Sequence, residues 1–255
     1  MVPEDGCGGA GGTGDGERSP DAPEPRRQVR RDKGQVQLTE RDLWALQWIG
    51  AQYAVRVDQL QVLLGRVPQG TLQVAGQLAP TTTRHIVQRW VRAGVIGYQK
   101  ILVQEPGWIW LTRAGLLTAG LPYRPYVPGA AGLRHLYWVN QARLRTEDRR
   151  PEAHWVSERA LWYQAEAART LPEAGAPRQV PDGQVELDGR TVIAVEVELS
   201  VKKSERLKVI VSDRVRHYAG VWYFVTPQTR AAVRSVVAQL DPQAQSKVRL
   251  IDLGG

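Results

Sequence analysis

The chain has 255 residues, 42% hydrophobic and 24% charged, with a formal net charge of +8. That is enough apolar material for one large domain or two of ordinary size, and the basic balance fits a polyanionic partner. The single cysteine, Cys7, excludes an intrachain disulfide and a zinc site built on several thiolates. No apolar run reaches the roughly 18 residues of a membrane span, and the first residues lack a secretory pattern, so a cytoplasmic location without membrane contact is expected.

Residues 1–37 are rich in glycine, proline and charges of both signs, with almost no apolar side chain to offset the entropy of ordering. They read as a flexible tail. Its closing run "EPRRQVRRDKG" suits either a solvated linker or a phosphate contact. The charge sums to +5 over residues 38–131 and to +4 over residues 132–255, so both prospective folded regions are basic. Only six of the 34 basic residues are lysine. That preference suits bidentate guanidinium–phosphate contacts and follows equally from a GC-rich genome.

From residue 38 the pattern becomes helical. "LTERDLWALQWIGAQY" offers Thr39 as a cap and Leu43, Trp44, Leu46 and Trp48 as an apolar face. "RVDQLQVLLG" predicts a second helix. A third is expected after Pro80, capped by Thr82 or Thr83, with Ile86, Trp90 and Val91 inward and Arg84, His85, Gln88, Arg89 and Arg92 outward. An apolar stretch broken at residues 105–107 reads as a hairpin with Lys100 on one strand, and "TRAGLLTAG" as a closing helix. Three helices, a hairpin and a helix is the order of a winged helix-turn-helix over residues 38–120, with the third helix placed to read duplex DNA. The same elements also occur as protein-binding modules.

"GLPYRPYVPGAAG" marks a boundary, with residues 121–131 as the linker. Residues 132–255 then read as an α/β domain with a mixed sheet flanked by helices. "LRHLYWVNQARLRTEDRR" is one helix, and "SERALWYQAEAARTL" is another, capped by Ser157 and stopped by Pro172. "QVELD" and "RTVIAVEVELS" form a hairpin through the tight "LDGR" turn. A helix over 203–218, the strand "GVWYFVT", a helix over 228–240 and the strand "KVRLIDL" complete the domain.

Within the hairpin, alternation sends Glu196 and Glu198 to one face, and Asp182 starts the neighbouring strand. Crowded carboxylates raise each other's pKa unless a cation neutralises them, and a hard divalent ion with oxygen ligands suits them. Magnesium or manganese so held would assist phosphodiester hydrolysis, with Glu158 as a further ligand and Lys202 or Lys203 beside the phosphate. The other reading is that the two glutamates line a solvated sheet face. No small-molecule cofactor is implied. Nine tryptophans, among them Trp138, Trp155 and Trp162, fit either packed cores or a homodimer interface.

The order of helix, Pro-Asp, hairpin, acidic pair, helix and strand resembles the restriction-endonuclease-like superfamily, whose signature is Pro-Asp, then an acidic residue, any residue and lysine. It falls on Pro181, Asp182, Glu196, Val197 and Glu198, with Glu198 standing where the family usually has lysine. More narrowly, "WLTRAG", "LRHLYWVNQARL", "WVSERAL", "PDG" and "AVEVELSVKKSERLKVIV" resemble the replication-relaxation proteins of actinobacterial plasmids and mobile elements. The resemblance singles out His135, Asn140, Glu158, Asp182, Glu196, Glu198, Lys203, Arg206 and Tyr218, and implies association with mobile-element DNA. The expected protein binds double-stranded DNA and carries a nuclease-like domain, a magnesium-dependent endonuclease or nickase if that domain is active. The alternatives are a non-catalytic replication or transcription accessory protein and a structural or protein-interaction module.

Overall fold

The structure, a computed structural model, describes residues 37–66, 76–168 and 179–254. The tail expected over residues 1–37, except for its last residue, with its basic run and Cys7, and the helix stop at Pro172 lie outside the described residues.

A reciprocal cap starts the first helix, α1 (Glu40–Ala51): Thr39 Oγ1 accepts from the Asp42 amide at 3.2 Å, and Asp42 Oδ2 accepts from the Thr39 amide at 2.8 Å. The helical period that carries Ala45, Trp48 and Ile49 inward turns Trp44 outward, contrary to its expected place on the apolar face. The chain leaves α1 through Tyr53, at a φ of 68°, into a short strand that the sequence did not reveal, β1 (Ala54–Arg56). Helices α2 (Val57–Arg66) and α3 (Pro80–Arg92) follow. Pro80 lies in the first turn of α3, where its missing N–H is harmless, so the helix begins earlier than expected. Thr83 is therefore not a cap; its hydroxyl donates back to the Ala79 carbonyl at 3.1 Å. Strands β2 (Ile96–Gln99) and β3 (Trp108–Leu111) and helix α4 (Arg113–Thr118) complete this region. The three strands pair antiparallel in the order β1-β3-β2. Lys100 lies just past β2 and not on a strand, because pairing stops at Gln99.

The second region runs α5 (Leu133–Arg149), β4 (His154–Ser157), α6 (Glu158–Ala168), β5 (Gly183–Leu187), β6 (Thr191–Glu198), α7 (Ser204–His217), β7 (Gly220–Val225), α8 (Pro227–Val237), α9 (Pro242–Ser246) and β8 (Val248–Asp252). The chain is thus a helical N-terminal region followed by a mixed α/β part, whose five-stranded sheet is flanked by helices. Strand order is β4-β5-β6-β7-β8, antiparallel from β4 to β6 and parallel from β6 to β8. At the expected hairpin turn, Asp188 and Gly189 have φ of 50° and 69°, and Asp188 Oδ1 accepts from the Thr191 amide at 3.1 Å. Strand β4 and helix α9 had no clear sequence signal.

Three main cores form. Leu46, Ile49, Leu60, Leu63, Ile86 and Trp90 pack in the N-terminal region; Val139, Ala142, Val185, Val195 and Phe224 lie on one face of the large sheet; Ala194, Leu207, Val211, Tyr223 and Val233 lie on the other. Helix α5 belongs to two of them, because Leu144 packs in the N-terminal core while Val139 and Ala142 pack on the sheet. Of the tryptophans considered for an interface, Trp155 is inside the sheet core, Trp138 packs against it and Trp162 is partly exposed. No helix among the described residues is long and apolar enough to cross a membrane.

Candidate functional site

Two regions hold the residues singled out from the sequence. The first is built where β5 and β6 part. Gly183 opens β5 under the Trp155 ring, and a Cβ there would lie 2.5 Å from that ring, so glycine lets the chain pass with Asp182 at the strand end. Asp182 Oδ2 accepts from the Val197 amide at 2.7 Å, and Oδ1 meets His135 Nε2 at 3.0 Å.

Alternation along β6 holds, and the alternative reading of a solvated face does not: Glu196 and Glu198 are only 9% and 4% exposed, because α7 and α8 cover that side. Each glutamate has a basic partner. Arg214 Nε on α7 donates to Glu196 Oε1 at 2.6 Å, and Lys202 Nζ lies 2.6 Å from Glu198 Oε2. Burial first, and then the Asp182 charge, push the Glu196 carboxyl up to about 7 against the pull of Arg214. Arg214 is raised as well: burial works against its charge, but the Glu196 carboxylate and its hydrogen bond outweigh that. The Tyr223 hydroxyl is buried beside this group with no hydrogen-bond partner among the described residues.

A cleft of about 280 Å³ opens beside Asp182, with Tyr53, Tyr126, His135, Ser157 and Glu158 among its walls. Glu158 accepts from Trp162 Nε1 at 3.3 Å, and burial, then the Asp182 charge, raise its pKa. Tyr53 is pushed up to about 12 by burial and then by Glu158. The structure therefore gathers His135, Glu158 and Asp182 around one opening, with Glu196 buried behind them. The Ser157 hydroxyl is committed to capping α6, accepting from the Ala160 amide at 3.2 Å.

Among the described residues no group of three or more His, Cys, Asp or Glu stands together as a ready metal site. Glu198 is taken by Lys202, and Glu158 is turned to Trp162. Glu196 is itself held by Arg214, and Asp182 by the Val197 amide and His135, so each of the four carboxylates already has a partner; Asp182 and Glu196 are the two whose charges meet, since Glu196 is raised by burial first and by Asp182 next. Two carboxylates completed by water fit magnesium, which keeps several waters in most protein sites, better than they fit an all-protein cage.

The other residues distribute plainly. Asn140 is buried behind the cleft wall, donating to the Ala54 carbonyl at 2.9 Å and to Gln59 Oε1 at 3.2 Å and accepting from Gln52, which lines the cleft, so it ties α5 to the N-terminal region. Tyr218 accepts from Gln184 Nε2 at 2.8 Å. Lys203 and Arg206 are exposed at the start of α7. Sequence reasoning missed Arg214. Its signal was available, since it falls on the buried stripe of Leu207, Ile210 and Val211, where a cation demands a partner.

The second region is the outer face of α3. Arg84, His85, Gln88 and Arg92 are exposed there, and Arg84, Gln88 and Arg92, at intervals of four, share one side. A groove of about 620 Å³ between α3 and the β2–β3 connection has these three and Lys100 along it, over Val57, Val87, Val91 and Tyr98. Arg89 is a correction. It turns back to the fully buried Asp42, meeting both carboxylate oxygens at 2.5 and 2.6 Å, because residue 89 sits about 100° around the helix from Gln88. Val91, expected inward, is 44% exposed, and Val87 takes its place in the core.

Comparison of the chain with protein families, with curated proteins and with solved structures finds no match in any of the three.

The His135–Asp182 pair supplies a direct check on the site. Burial disfavours the imidazolium, but the Asp182 hydrogen bond and charge outweigh it and raise the His135 pKa above its ordinary value. The stabilisation from this pair is present below the ordinary histidine pKa and fades as pH rises through the folded value. In an NMR titration, Asp182→Asn should lower the His135 pKa; equal values in parent and variant would show that the two side chains do not meet in solution.

Proposed function

We propose that the chain is a double-stranded DNA-binding protein of a mobile genetic element, related to the replication-relaxation proteins it resembles. Its residues 38–120 act as a winged helix-turn-helix, and its sheet part as a restriction-endonuclease-like module. The observation that carries the DNA reading is the exposed row Arg84, Gln88 and Arg92 on α3 with Lys100 beside it. Guanidinium and ammonium groups meet phosphate oxygens, and the Gln88 amide suits the paired donor and acceptor of an adenine edge.

The test is a salt series by fluorescence anisotropy on a labelled duplex. Replacing Arg84, Arg92 and Lys100 by glutamine should weaken binding and reduce the salt slope by roughly 0.9 for each phosphate no longer neutralised. A slope equal to the parent's would overturn the assignment.

A second reading, metal-assisted cleavage, is favoured by the meeting of His135, Glu158 and Asp182 at one cleft, beside a Glu196 raised by burial first and then by the Asp182 charge, which a bound cation would relieve. Magnesium or manganese, when bound, would polarise a phosphodiester and activate water. Asp182 and Glu196 would hold it. His135, oriented by Asp182 at the open side of the cleft, is placed to accept or return a proton, and Lys202 stands near enough to add positive charge to the Asp182 and Glu196 surroundings.

A further inference from the structure

The sheet has a third feature that neither reading uses. Leu207, Val211 and Val233 of α7 and α8 pack on one side of the sheet, while α5 lies along β4 and β6 on the other. Beyond α5, a cleft of about 400 Å³ opens over β7 and β8. Arg145 and Arg149, one turn apart on α5, and Arg150 just after it form one wall; Trp222, Phe224 and Arg249 come from the strands. Arg249 is the register partner of Trp222, so both side chains rise from the same face. The Trp222 ring is half-buried and carries the Arg150 guanidinium over it, 5.6 Å from its centre, so a base reaching the ring would share its face with this cation or displace it.

The cations here are not balanced. Glu152 is the one carboxylate among the described lining residues, and Arg150 meets it only at 4.0 Å. Arg145 donates to the backbone carbonyls of Asp252 and Leu253 at 2.8 and 3.2 Å. Arg149 and Arg249 are exposed and make no ion pair among the described residues. Burial, followed by the neighbouring Arg149 charge, lowers the Arg145 pKa, as expected where like charges crowd.

We infer that this cleft binds single-stranded nucleic acid, with the arginines on its phosphates and Trp222 against an unpaired base. Guanidinium groups grip phosphate in pairs, and an indole face is a stacking platform for any base. A duplex fits poorly, because its bases are stacked on one another and present no free face to Trp222. The site is separate from α3 and does not depend on the duplex reading.

The experiment uses the full chain and a fluorescein-labelled oligothymidylate of about 12 nucleotides, titrated over a salt series. The double variant Arg149→Gln/Arg249→Gln should bind more weakly, with a slope reduced by roughly 0.7 for each phosphate released from an arginine. Trp222→Leu should weaken binding roughly 5- to 150-fold with the slope unchanged, and Trp222→Phe, which keeps an aromatic face, should retain most of the affinity. Duplex affinity should stay at the parent level in these variants and fall in those of Arg84, Arg92 and Lys100, so the two sites fail separately. Absence of oligothymidylate binding by the parent, a parent-like slope in the double arginine variant, or equal affinity in Trp222→Leu would each overturn the inference.

Discussion

Asp182→Asn is expected to reduce magnesium-dependent nicking of supercoiled DNA by on the order of 100- to 10,000-fold. The amide keeps an oxygen able to accept from the Val197 amide, which the parent does at 2.7 Å, so the strand end should hold its shape. What disappears is the negative charge that a cation would require and the anchor of His135. Glu196→Gln should have a similar effect for a different reason, since it removes the second carboxylate while leaving His135 with Asp182. Both are read by comparing parent and variants on supercoiled and linear duplexes, with magnesium, with manganese and after chelation. Nicking by a variant at the parent rate would rule out the site. If the parent itself cuts nothing with either metal, the accessory-protein reading takes its place, and Glu198, standing where the superfamily that the sequence resembles usually has lysine, would be the natural explanation.

Arg214→Leu is expected to lower the stability of the protein, by about 3–5 kcal/mol at pH values where Glu196 stays ionised, the usual cost of leaving one buried charge without its partner, and by less at lower pH, where the carboxyl takes up a proton. Its guanidinium bridges Glu196 Oε1, the Asp213 carboxylate at 2.7 Å and the Gln179 carbonyl at 3.2 Å. With Arg214 gone, the strongest influence holding Glu196 down is removed and its pKa moves above about 7. In the folded parent Glu196 keeps its proton to higher pH than in the unfolded chain, so its contribution to stability declines as pH rises from the ordinary carboxylate range to about 7. In Arg214→Leu that decline should continue above pH 7. Urea unfolding at several pH values measures both effects, and Arg214→Leu/Glu196→Gln should recover most of the loss because no buried charge is left over. A single variant as stable as the parent would show that the pair contributes nothing net.

The sequence was most informative where local chemistry decides alone. The Thr39 cap, the Asp188–Gly189 turn, and the alternation of β6 all follow from a few adjacent residues, and the order of the larger helices and strands followed with them. It was least informative where a distant partner decides. Arg84, Gln88 and Arg92 could be read as exposed, but Arg89 could not be separated from them without knowing that Asp42 is buried opposite it. For Glu196 and Glu198 a carboxylate site and a solvated sheet face were equally readable from alternation; their burial follows from α7 and α8 crossing that face, with Arg214 and Lys202 to compensate. Strands β1 and β4 are three and four residues long and adjoin helices, so their periodicity merges with that of their neighbours. The cleft at His135 was invisible for the same reason, since its walls come from parts of the chain more than a hundred residues apart.

Helix α5 carries a consequence for how the protein comes apart. Its Leu144 is a member of one core and its Val139 and Ala142 of another, and Asn140 between them is held by Ala54 and Gln59 while accepting from Gln52 at 3.1 Å. Pulling the two regions away from each other would bare apolar surface on both and strand an amide in the same event. The two regions are therefore expected to open together, so a protease that needs an open chain should find sites in both at the same denaturant concentration, and the helix acts as a shared keel instead of a hinge.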